Sequence, residues 1–105
     1  MTTINPTPHV GDTVRIEIWI RDLDNMPLPI NTATVKQFHI KPPTGATMVK
    51  TATFITTGAD GGLYYECLNT DLSVDGEWKV QAYIEIPVAK QYHADIFGFT
   101  VLANV

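Results

Sequence analysis

The sequence predicts an all-β protein, a single Greek-key β-sandwich of about seven strands. Three observations carry this. Two stretches alternate apolar and polar residues without a break, the period-two pattern of a half-buried strand. Turn signals rich in Gly, Pro, Asn and Asp punctuate the chain at short intervals. No segment has a helical period. A small barrel is the alternative architecture. The 105 residues suit one domain, long enough for one core without cross-links. A composition 45% hydrophobic and 17% charged excludes a disordered chain. The expected division is an extended N-terminal arm over residues 1–12 and a sandwich domain over residues 13–105.

Residues 1–12 (MTTINPTPHVGD) are polar, and Pro6 and Pro8 remove backbone donors and favour extended geometry. Such an arm, with Ile4 as its apolar residue, either pairs at a sheet edge or lies on a partner. Residues 13–21 (TVRIEIWIR) form a clean strand. Val14, Ile16, Ile18 and Ile20 make its buried set; Arg15, Glu17, Trp19 and Arg21 face out. An outward Trp19 among charges either lies flat under the Arg stems or is a contact residue. Residues 22–31 form a turn and irregular crossing.

Residues 34–41 form a third strand with Phe38 and Ile40 inward; Val35 breaks the phase and signals a bulge or a late start. Residues 42–45 (PPTG) make a turn. Residues 47–56 form a fourth strand of open register. Met48, Ala52 and Phe54 compete with Val49 and Ile55 for its inner face. After a loop tip at residues 58–62 comes a fifth strand over residues 63–68, with Leu63, Tyr65 and Cys67 inward.

Residues 75–86 (DGEWKVQAYIEI) are the cleanest stretch and are expected to be a central core strand. Trp78, Val80, Ala82, Ile84 and Ile86 face in, with Leu72 packing beneath Trp78. Residues 87–91 make a turn. The last strand covers residues 92–102, with Phe97, Phe99 and Val101 inside and Ile96, Thr100 and Leu102 outside. Gly98 marks a bulge or a close backbone approach within it. This strand is expected at a sheet edge, open to strand addition.

The search for chemistry is negative. A net charge of −4 and scattered Lys and Arg argue against a nucleic-acid partner. The single cysteine, Cys67, permits no intrachain disulfide. Neither Cys67 nor Ser73 sits in a nucleophile motif beside His9, His39 or His93, and these histidines lack zinc spacing. Residues 22–25 lack the glycine and distal glutamate of a calcium loop and read as turn chemistry. Residues 60–62 lack the lysine and helix of a phosphate cradle. The expectation is a non-enzyme with no metal and no cofactor. Residues 1–12 carry no secretory apolar run and no stretch suits a membrane helix, so no membrane partner is expected. Outward aromatics, Trp19, Tyr64, Tyr83 and Tyr92, leave a carbohydrate- or cell-surface-binding module as the alternative function.

The order of signals adds a resemblance. The acidic turn RDLDN (residues 21–25) is followed by PLPI (27–30), TATV (32–35) and KPPTG (41–45). Then come GGLYY (61–65), Asp71-Leu72, Gly76 and WKVQA (78–82). Over residues 13–102 this pattern resembles the immunoglobulin-like modules of tailed-bacteriophage structural proteins. It is similar in particular to the N-terminal module of baseplate upper proteins. The resemblance implies an immunoglobulin-like sandwich without catalytic residues. It implies a virion structural role: an adaptor or decoration protein in a multimeric assembly of other virion proteins, made in the host cytoplasm. Baseplate proteins of this kind continue into long fibre segments, whereas this sequence stops at Val105; the cysteine–tryptophan–cysteine core of antibody domains is also missing. The candidate partner contacts are Trp19, Ile96 and Leu102, with Ile4, Pro6 and Pro8 of the arm.

Overall fold

The alternating stretch becomes the longest strand, β7 (Gly76–Ile86), and one whole sheet is assembled on it. The computed structural model describes residues 2–5, 7–22 and 24–104. Trp78, Val80, Ala82 and Ile84 are buried, as their alternation requires. One side of β7 pairs with β3 (Val35–Lys41), from Val35 opposite Glu85 to Lys41 opposite Lys79. Two short strands share the other side. β9 (Phe97–Val101) takes Gly76 to Val80, and β8 (Lys90–His93) takes Tyr83 to Ile86. β4 (Met48–Thr51) completes this five-stranded sheet against β3.

The other sheet has four strands in the order β1 (Thr2–Asn5), β2 (Arg15–Trp19), β6 (Gly62–Glu66) and β5 (Thr53–Phe54). All pairings between strands are antiparallel. Val14, Ile16, Ile18 and Ile20 meet Phe38, Ile40, Trp78 and Ile84 in one core. Trp78 stacks on Phe99 at 6.3 Å between centroids and donates its indole N–H to the Val74 carbonyl at 3.0 Å. A buried indole is stable there because its one polar atom is satisfied. The described residues contain no helix, and hence none long and apolar enough to cross a membrane.

Nine strands are found among the described residues rather than about seven, and the differences have physical causes. The expected arm is partly strand: Thr2–Asn5 pairs with β2. Pro8 and Val10 then hydrogen-bond the backbone of Leu102 at 3.0 Å, so one end of the β9 edge is covered rather than open. The fourth predicted strand splits at Ala52, where the chain changes sheets. Ala52 is buried and donates its N–H to the Lys36 carbonyl at 2.9 Å; a small side chain leaves room for that crossing. Of the two competing sets, Met48, Ala52 and Phe54 face the core and Val49 is exposed. The last predicted strand splits into β8 and β9 because Ala94 is held between them, its N–H on Ala82 and its carbonyl on the Gln81 amide. Val35 marks a late start, with unbroken register behind it. Gly98 makes no bulge: its register against Lys79 is continuous, and a Cβ would meet nothing closer than the Trp78 carbonyl at 3.9 Å.

Gly61 is the backbone position with least freedom. Its φ is +78°, and a Cβ would stand 2.3 Å from the Ile20 carbonyl oxygen and 3.0 Å from that of Leu28. Its carbonyl accepts the Ile20 N–H at 2.9 Å, which joins the end of β2 to the start of β6. Gly61→Ala adds left-handed strain to a backbone collision. We expect it to destabilise the fold by at least about 2 kcal/mol in chemical denaturation. Gly98→Ala, measured alongside, should change stability by less than about 1 kcal/mol.

Candidate functional site

The two sheets present outer faces of different character. On the four-stranded sheet the charged groups are occupied by one another. The Arg15 guanidinium lies 3.8 Å from the centroid of the Tyr64 ring, donates to Glu17 at 2.9 Å and approaches Glu66 at 3.8 Å. Trp19 leans across Gly62, where an added Cβ would come within 3.1 Å of the indole nitrogen.

The five-stranded sheet is different. Register places Gln37, His39 and Lys41 of β3 opposite Tyr83, Gln81 and Lys79 of β7. His39, Tyr83 and His93 form a ring row across three strands, with centroids 5.7 Å and 4.8 Å apart. Partial desolvation and the neighbouring Glu85 carboxylate, which the phenol hydrogen-bonds, raise the Tyr83 pKa. Tyr83 therefore presents a neutral, flat and partly apolar surface at neutral pH. Val49 sits opposite His39 and is 56% exposed, and Ile96 is 62% exposed. Below the ring row lies a cleft of about 200 Å³, lined by His39, Lys41, Thr47, Lys79, Gln81 and Ile96.

The candidate contacts do not gather at one place. Ile96 borders the cleft, and Leu102 lies past the opposite end of β9, 42% exposed with its backbone engaged by the N-terminal segment. Trp19 belongs to the other sheet. Ile4 is half-buried against the core and Pro8 is buried, so neither offers a free apolar surface. Pro6 lies outside the described residues. The outward aromatics also fail to converge. Trp19 and Tyr64 belong to one outer face and Tyr83 to the other, while Tyr92 pairs with Ile84 and shares its core-facing side. Sequence reasoning missed His39, Val49, Lys41 and Lys79. Their outward phase in β3 and β7 was readable, but their adjacency depends on which distant strands pair.

A second cleft, of about 260 Å³, runs between the end of β2 and the link from β8 to β9, past Thr2, Asp22, Asn25, His93 and Asp95. Asp22 is already committed there: its Oδ1 accepts the amides of Asp24 and Met26 at 2.9 and 3.0 Å. This is the expected Asx turn. No group of three or more His, Cys, Asp or Glu side chains that could hold a metal is found among the described residues.

The remaining polar cluster is buried and structural. Asp71 is 4% exposed. Its Oδ2 accepts the Tyr65 hydroxyl and the Leu68 amide, the latter at 2.8 Å, and its Oδ1 faces the Lys50 ammonium at 3.1 Å. Burial alone would raise the Asp71 pKa; the hydrogen bonds from Tyr65, Leu68 and Lys50 outweigh it and hold the carboxyl below its usual value. Burial first, then the Asp71 hydrogen bond and charge, push the Tyr65 phenol up. Burial, with the Asp71 charge, pushes the Cys67 thiol up to about 12. Cys67 is therefore a protonated core residue at neutral pH, not a nucleophile. No family model matches the chain, and no curated protein matches it.

Two outcomes follow from this cluster. Asp71 has a lower pKa folded than unfolded, so its contribution to stability is complete above the ordinary carboxylate range, about pH 4, and is lost as pH falls through the folded value. Asp71→Asn should cost roughly 1–3 kcal/mol near neutral pH. In thermal melts, the gap between it and the parent should close on acidification. A gap independent of pH would show that the carboxylate charge is not what matters. Cys67 should resist a thiol reagent such as Ellman's reagent in the native state at neutral pH, and react fully once denaturant unfolds the chain.

Proposed function

We propose that this chain is a non-enzymatic bacteriophage virion structural protein, a small adaptor or decoration module that docks on a baseplate, tail, fibre base or capsid. The outer face of the five-stranded sheet is the docking surface. The observation that carries this is the His39–Tyr83–His93 row flanked by exposed Val49 and Ile96. Aromatic and aliphatic groups standing together on an otherwise polar surface are what protein contacts use. The ordered resemblance of residues 13–102 to phage modules supports the setting.

Strand order supports the immunoglobulin-like Greek-key reading. The sheet β1-β2-β6-β5 corresponds to A-B-E-D of such a sandwich, and β4-β3-β7-β9 to C′-C-F-G. A parallel bridge between His9 and Leu102 joins the N-terminal segment to the end of β9. In this reading the N-terminal segment completes the domain rather than reaching for a partner, and contact falls to the outer face.

The test is rebinding of purified protein to particles that lack it, read by co-sedimentation. Tyr83→Ala and Ile96→Asp should each weaken rebinding about tenfold or more, with melting temperature little changed. Trp19→Phe should bind like the parent. Absence of the protein from purified virions by mass spectrometry, or unaltered binding by both outer-face variants, excludes the proposal.

A further inference from the structure

The cleft beneath the ring row holds two cations that oppose each other. Lys41 and Lys79 are direct cross-strand partners, and both point to the outer face because Ile40 and Val80 beside them are buried. Like charges directly opposite on a sheet are unfavourable. The chain has only seven Lys and Arg residues against eleven Asp and Glu, yet two of the seven meet here. No carboxylate lies within ion-pair distance of either ammonium among the described residues. Glu77, the next outward residue along β7, instead accepts the Thr100 hydroxyl. Of the other five, four are engaged: Arg15 by Glu17, Arg21 on the Asn25 carbonyl, Lys50 by Asp71 and Lys36 over the Phe54 ring.

The rest of the cleft complements an acid carried on a short carbon stem. Thr47 adds a hydroxyl donor, and the exposed Ile96 forms an apolar wall. Gly98, opposite Lys79 on the far side, carries no side chain to crowd it. The Gln81 amide N–H is spent on the Ala94 carbonyl, which keeps that link in place beside the cleft. Two ammonium groups and one hydroxyl above an aliphatic wall match a carboxylate on a methylene stem.

We infer that the Lys41–Lys79 cleft is a carboxylate-binding site that takes a glutamate side chain of a protein partner. It rests on the docking proposal only for the source of that glutamate; the site itself is testable without any particle. Charge-assisted hydrogen bonds from both ammonium groups to the carboxylate oxygens hold the acid. Filling the cleft also relieves the lysine–lysine repulsion, so recognition and local stability are coupled.

The test titrates the full chain with N-acetylglutamate amide and follows amide chemical shifts by NMR. Saturable shifts are expected at Lys41, Thr47 and Lys79, with none at Trp19 on the other sheet. N-acetylglutamine amide, the neutral isostere, should produce no saturable shift. Lys79→Met should weaken binding about tenfold, the scale of one charge-assisted hydrogen bond. Lys79→Glu should abolish it while raising the melting temperature, because it converts the repelling pair to an attracting one; that gain also shows that the variant is folded. Equal binding of the glutamine probe, or binding that survives Lys79→Glu, overturns the inference. Inorganic phosphate binding more tightly than the glutamate probe overturns the assignment to a carboxylate. If the particle assay fails while this titration succeeds, the docking proposal falls and the site stands.

Discussion

The carboxylate of Asp71 is the constraint on which the sandwich hangs. A buried charge is costly unless it is paired and hydrogen-bonded. Here its partners come from different parts of the chain. Tyr65 belongs to β6 of the four-stranded sheet, Lys50 to β4 of the five-stranded one, and the Leu68 amide to the crossing between them. Satisfying one carboxylate therefore holds an edge of one sheet over a strand of the other. It also fixes the turn that delivers the chain into β7. Leu72, next to Asp71, is fully buried, and its carbonyl accepts the Gly11 N–H at 2.9 Å, so the N-terminal segment is tied to the same crossing. No buried side-chain polar atom is left without a partner among the described residues. That is what lets a charge sit beside an apolar core at all.

From that crossing the five-stranded sheet follows. β7 enters the five-stranded sheet with Trp78 inward, and its inner face supplies most of the apolar wall against β2. Its outer face then has no choice but to display Lys79, Gln81, Tyr83 and Glu85. The two outer faces of the sandwich have divided their labour. One is closed by its own ion pairs around Arg15 and Tyr64. The other has rings, exposed aliphatics and unpaired cations in one neighbourhood.

Much of the architecture was legible because alternation is local. Val14 to Ile20 and Trp78 to Ile84 needed no tertiary information: one buried face every second residue follows from pleat geometry alone. Ile96 and Leu102 are exposed as expected, although both lie just outside β9 rather than in its alternation. The break at Ala52 was not, since leaving one sheet for another is decided by which backbone partners are nearest. Residues 47–56 showed only a phase conflict there. The pairing of Thr2–Asn5 was equally hidden, because edge pairing uses backbone groups that every residue carries. The candidate site was the least legible part. His39 and Tyr83, or Lys41 and Lys79, are dozens of positions apart in sequence, and nothing in either strand names the other.

By itself the sequence determined the all-β class of fold and most residues of the core. These depend on composition, period and spacing, which are properties of short stretches. Only the tertiary structure decided that Asp71 is buried and paired, that the N-terminal segment completes both sheets' edges, and that two lysines share a cleft. The physical reason is common to all three. Each is set by the register of strands distant in the chain, and register is chosen by the whole core at once, as the one alignment that buries every apolar face together.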